Sequence, residues 1–202
     1  LSAATVGLGA VQLSTGDTTQ AISHFQMAAD RNNPAGYVNL GVIHTAQGDY
    51  ETAISNFQQA LDLNPAEADA LFALTALYYQ VGQYSDALEI CDALQERHPN
   101  NAQTSQLTGT VAYAATQYEL ALIAYQTAYN LNANDPETHK GLALTYEALN
   151  DPDAAHKHWE GWLELVGDNP ELTDDINRVT EHLKTLAELS VIAPNVKGVG
   201  LP

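Results

Sequence analysis

Basic residues are scarce: 7 lysines and arginines face 25 aspartates and glutamates in 202 residues, for a formal charge of -18. That field repels phosphate backbones and anionic membrane surfaces, so nucleic acid is not an expected partner. The acidic residues are scattered through helical segments and form no block, as on a solvated helix surface. The single cysteine, Cys91, leaves no disulfide scaffold. None is needed, because a chain of this size buries roughly 70% of its unfolded surface. No apolar run reaches the length of a membrane span. There is no Asn-x-Ser/Thr triplet, no initiator Met and no charged segment before the apolar start, so the beginning reads as a processed or trimmed one. The compartment stays open, with a lean to export. Phosphate loop, nucleophile elbow and metal-protease motif are all missing, so no catalytic residue, cofactor or metal is expected.

What the chain does have is self-similarity. Ala21, Ala53, Ala87, Ala121 and Ala155 recur at spacings of 32, 34, 34 and 34. Four residues after each stands Phe25, Phe57, Cys91, Tyr125 or Trp159, and twelve before each stands Gly9, Gly41, Thr75, Gly109 or Ala143. A small residue on one helix lets a second helix approach while the large one fills the groove beside it. Between them lie Gly16-Asp17, Gly48-Asp49, Gly82-Gln83, Thr116-Gln117 and Asn150-Asp151, where Gly or Asn can end a helix in the left-handed conformation. Pro65 and Pro99 close the second and third units. Each unit therefore reads as helix, turn, helix.

The stretch Leu40-Gly41, His44, Gly48-Asp49-Tyr50, Ala53, Phe57, Ala60, Pro65 resembles the tetratricopeptide repeat, as does Leu74, Tyr78, Gly82, Tyr84, Ala87, Cys91, Leu94, Pro99. Thr75, Cys91 and His44 depart from the pattern, and the first copy is two residues short. The resemblance implies an all-α fold: a right-handed superhelical solenoid of about five helical hairpins, plus a C-terminal capping helix and an extended tail. The solenoid spans 1–190, with repeats at about 2–33, 34–67, 68–101, 102–135 and 136–169 and a capping helix at 170–190. An arm follows at 191–202.

The resemblance also implies a peptide- or protein-binding concave groove. Its candidate positions here include Phe72, Tyr79, Gln106, Tyr113 and Lys140. With Lys140 the only base among the groove positions, a carboxylate clamp is disfavoured. The aromatics fit a neutral or apolar peptide, or else simply pack between helices.

Both ends are unusual. Leu172, Ile176, Val179, Leu183, Leu186 and Leu189 make one apolar face after Pro170, as a capping helix or a coiled-coil strand would. At the start, residues 1–16 carry no charge, and Leu1, Ala4, Leu8 and Val11 share a face where a terminal repeat should be polar. In the arm, Pro194, Gly198, Gly200 and Pro202 interrupt helix, while Val191, Ile192, Val196, Val199 and Leu201 are apolar. These two ends suggest head-to-tail self-assembly into an oligomer or filament. The alternative is an adaptor whose groove binds a peptide of another protein. His156 and His158 lie two apart on a helix and point away from each other, which argues against a metal. Cys91 sits at a buried large position, as a small hydrophobe. Trp159 and Trp162 read as core beneath the capping helix.

Overall fold

A left-handed residue recurs at every short turn, and it folds each repeat into a hairpin. The computed structural model describes the backbone of residues 2–192 and the side chains of residues 3–185. Its helices pair as α1 (Ser2–Ser14) with α2 (Thr18–Ala29), α3 (Pro34–Ala46) with α4 (Tyr50–Leu63), and α5 (Ala68–Gln80) with α6 (Tyr84–Arg97). Next come α7 (Ala102–Ala114) with α8 (Tyr118–Leu131), and α9 (Pro136–Ala148) with α10 (Pro152–Val166). A 3₁₀ turn, Pro170–Leu172, leads into α11 (Thr173–Ile192). The fold is an all-α array of helical hairpins.

Each hairpin turn is one structure built five times. Gly16, Gly48, Gly82, Thr116 and Asn150 all have positive φ, between 59° and 86°. The N–H of the following residue then reaches back to a carbonyl five residues earlier, as from Asp49 to His44 at 2.9 Å and from Gln117 to Ala112 at 2.9 Å. This satisfies carbonyls that the helix end leaves open. The same following residue caps the next helix: Asp17, Asp49 and Asp151 accept from the N–H of Gln20, Thr52 and Ala154. Gln83 and Gln117 make no such side-chain bond. A Gly-Asp pair thus ends one helix and begins another.

Two compact units result, Leu1–Pro99 and Asn100–Pro202. Inside the first, Gly9 lies on the ring of Phe25 and Gly41 on that of Phe57. Phe25 is buried with Leu40 and Ile43 of the next hairpin, and Phe57 with Leu74 and Leu77. Gly36 brings α3 onto α2 so closely that a β-carbon there would stand 2.5 Å from the backbone nitrogen of Ala29. Thr75 and Cys91, two of the departures from the pattern, are both buried at its positions. The first repeat is short because α2 ends early, at Ala29, where Asn32 takes positive φ before Asn33 caps α3. Inside the second unit, Tyr125 is held between Gly109 and Gly141. Trp159 and Trp162 meet edge to face, with ring centroids 6.1 Å apart, under Leu172, Ile176, Val179 and Leu183.

The C-terminal boundaries shift. Asn169 caps the 3₁₀ turn, so α11 opens at Thr173, and it continues through Val191 and Ile192, which the sequence reading placed in the arm. A proline biases the residue before it away from helix, and Val191 and Ile192 both lie ahead of that residue. Of the candidate assembly residues, Leu1, Val196, Val199 and Leu201 lie outside the described residues, and of Val191 and Ile192 only the backbone is described. No described helix is long and apolar enough to cross a membrane.

Candidate interaction surfaces

The proposed groove residues are engaged within their own units. In the first, Phe72 is half-buried, and Tyr79, 40% exposed, leans on Tyr84 with ring centroids 5.9 Å apart. Thirty-four residues on, Tyr113 leans on Tyr118 in the same way at 5.5 Å. Each ring therefore packs on the residue that opens its own second helix and shows one side to solvent. Burial, with Tyr118 and Glu147 nearby, pushes the Tyr113 hydroxyl pKa up. Gln106 donates to Asp135 at 2.6 Å, the carboxylate that also caps α9 through Thr138. Lys140 is 3.8 Å from Glu137 on its own helix.

Around the fifth hairpin α11 walls off the face that Lys140, Leu144 and Glu147 present. The result is a cleft of about 470 Å³, floored by Trp159 and Trp162 and closed by Arg178, Val179 and His182. Glu147 Oε1 accepts from Trp159 Nε1 at 2.6 Å and lies 2.7 Å from His182 Nε2, which must carry its hydrogen there. Arg178 pairs with Asp175.

A second cluster is interior. His158 stacks on Tyr146 at 5.6 Å, meets Tyr129 edge-on at 5.5 Å and lies 5.3 Å from His139. Burial, then His139 and Lys157, lowers its pKa to about 4. His156 points elsewhere, to Glu160 at 3.4 Å. Among the described residues no three His, Cys, Asp or Glu side chains converge to hold a metal ion, and Cys91 is buried.

The outer face of α1 is different in kind. Ala4, Leu8 and Val11 point to solvent, Leu8 at 55% and Val11 at 60% exposure. In repeat register Leu8 corresponds to Leu40, Leu74 and Leu142, and Val11 to Ile43, Leu77 and Thr145, all buried. Ala4 corresponds to Gly36, Ala70 and Thr138, buried as well. In α3, α5 and α9 this face lies on the preceding hairpin's second helix. In α1 it meets no such helix among the described residues.

The family profile described as "Tetratricopeptide repeat" matches residues 44–109. Residues 44–109 therefore carry tetratricopeptide repeats. Among solved structures it is similar to a tetratricopeptide repeat protein from Parabacteroides merdae ATCC 43184, at 16% identity and a TM-score of 0.77, over all of this chain and 80% of that one. It is also similar to MamA 41-end from Desulfovibrio magneticus RS-1, at 23% identity and a TM-score of 0.74, over 83% of this chain and 96% of that one. A further MamA crystal structure matches at 19% identity and a TM-score of 0.72, over 84% and 94%. At such identities the likeness is one of fold. None of the curated proteins matches the chain.

A tetratricopeptide-repeat array is a scaffold for protein–protein contact, since its hairpins present extended surfaces and bury their apolar sides against neighbours. Sequence reasoning singled out α1's face and the groove tyrosines. It missed the cleft under α11 and the imidazole cluster, whose members come from three or more helices. Lys140 was visible as a groove position, and its nearness to α11 was not.

Proposed function

We propose that this tetratricopeptide-repeat protein is non-catalytic and links copies of itself head-to-tail, with the uncharged N-terminal face as one contact surface and the C-terminal arm as a second. One observation carries the reading. Leu8 and Val11 occupy positions that are buried between hairpins in α3, α5 and α9, yet they face solvent in α1. An exposed inter-repeat face fits another hairpin's helix, and a second copy supplies such helices. The residues from 1 to 16 carry no charge, so this face can approach another copy without setting acid against acid.

Light scattering across a concentration series tests it. The full chain should grow in mass on concentration, while Leu8→Glu/Val11→Glu stays near 21.7 kDa. Removal of residues 190–202 should weaken growth as well. A full chain that stays monomeric at every concentration would overturn the reading.

The alternative is an adaptor, and the cleft of about 470 Å³ beside Lys140 favours it, since it joins two indole rings to polar groups that could orient a peptide side chain. On that reading Lys140→Ala and Val179→Asp, both in the cleft, weaken binding of a separate peptide and leave mass unchanged.

A further inference from the structure

Both tryptophans of the chain, Trp159 and Trp162, line the cleft beneath α11. Their hydrogen bonding differs. Trp159 Nε1 donates to Glu147, whereas Trp162 Nε1 is shut away from solvent with no partner among the described residues, on a side chain only 3% exposed. An indole N–H can only donate, and burying it unpaired is costly. A bound molecule that brings an acceptor removes that cost.

The charged groups of the cleft point the same way. Two of the chain's seven lysines and arginines, Lys140 and Arg178, line it, in a molecule of formal charge -18. The carboxylates beside them already have donors. Glu147 Oε1 accepts from Trp159 and His182, and Asp175 accepts from Arg178. Lys140 is less committed, because Glu137 stands 3.8 Å away, beyond hydrogen-bond reach, and is 65% exposed. An ammonium and a guanidinium carry more N–H groups than these contacts use. The cleft is therefore rich in donors and short of acceptors. Its other walls are the indole rings, Leu144 and Val179, so the body that carries the acceptor is apolar. A volume of about 470 Å³ is that of a small-molecule site.

We propose that this cleft binds a small carboxylic acid with an aromatic or branched apolar body. The carboxylate supplies the acceptors that Lys140, Arg178 and the Trp162 N–H lack, and the body lies on the indole rings. The inference goes beyond both readings of function, since it gives the cleft a free small molecule in place of a peptide side chain. Self-assembly does not depend on it.

Tryptophan fluorescence tests it without a label, because both indoles line the cleft. Titrating the full chain with 3-phenylpropanoate should give a saturable change. The uncharged 3-phenylpropanamide keeps the ring and should bind about tenfold more weakly. Acetate, which keeps the charge and lacks the body, should give no change at the same concentrations. Lys140→Met and Arg178→Gln remove the cations from side chains that are 44% and 78% exposed, so both variants should keep the thermal midpoint of the parent. Each should weaken binding of the acid by about tenfold and leave binding of the amide unchanged, a separation that a merely structural role would not produce.

A parent chain that responds to neither phenyl compound overturns the proposal. An amide bound as tightly as the acid overturns it too, and leaves the adaptor reading standing with a neutral ligand. So does a peptide ending in phenylalanine that binds where the free acid does not, which assigns the cleft to chain ends. None of these outcomes touches the mass of the chain, by which self-assembly is judged separately.

Discussion

Gly41 of α3 and Phe57 of α4 lie so close that a β-carbon on the glycine would stand 2.6 Å from Cε1 of the ring. The whole repeat is organised around this approach. Gly41→Ala should therefore lower stability by about 1–3 kcal/mol, because the ring has no room to yield in a filled core. Gly7, on α1, has nothing within 4 Å of the same added atom. There Gly→Ala should raise helix stability by up to about 1 kcal/mol. Urea unfolding of the two variants should give shifts of opposite sign, and equal shifts would show that the close approach is not what selects glycine at position 41.

Thr116 is the β-branched member of the five left-handed turn residues, at φ 59°, and Gln117 after it caps nothing with its side chain. Restoring the Gly-Asp pair found at Gly48-Asp49 should relieve both defects. Thr116→Gly should stabilise by about 1 kcal/mol through the backbone. Gln117→Asp should add roughly 0.5–1 kcal/mol through a cap to the N–H of Leu120. Thermal unfolding of the single and double variants checks this, and a destabilised Thr116→Gly would mean that the threonine side chain supplies more than the turn costs.

His158 sets a pH dependence. Its pKa falls to about 4 in the folded chain from 6.5, so between those values the unfolded chain binds the extra proton. Stability is therefore complete above pH 6.5 and is lost as pH falls towards 4, by up to about 3 kcal/mol for this group. His158→Phe keeps a ring against Tyr146 and removes the titration. Unfolding midpoints of parent and variant at pH 7 and pH 4.5 should diverge at the lower value, with the parent the weaker. Parallel curves would place the acid sensitivity elsewhere.

Much of the fold was legible because a tetratricopeptide hairpin is specified locally. The offset from Gly41 to Ala53 and Phe57 states which residues touch, and a turn residue needs only its own φ. Even the departures obey the rule in register: where Gly becomes Thr75, the ring becomes Cys91, so volume moves from one helix to the other. The features that stayed hidden depend on distance in sequence. His139 and His158 meet across α9 and α10, and Glu147 finds His182 thirty-five residues on. Nothing in local spacing marks either pair. Ile123, exposed where the other repeats carry Ser23, Ser55, Glu89 and Lys157, is marked only by comparing outward positions between repeats, whereas the repeat itself is defined by the inward ones. The backbone of Val191 and Ile192 continues α11 past residue 190, ahead of the first proline of the tail, Pro194.

The central claim is that copies meet through α1, and hydrogen exchange of its amides in dilute and concentrated protein tests it most directly. Exchange from Ser2 to Ser14 should slow as concentration rises, because another copy covers the face of Leu8 and Val11 and suppresses local opening of the helix. Rates in α1 that do not change while the sample's mass increases, or an unchanged mass throughout, would contradict the account.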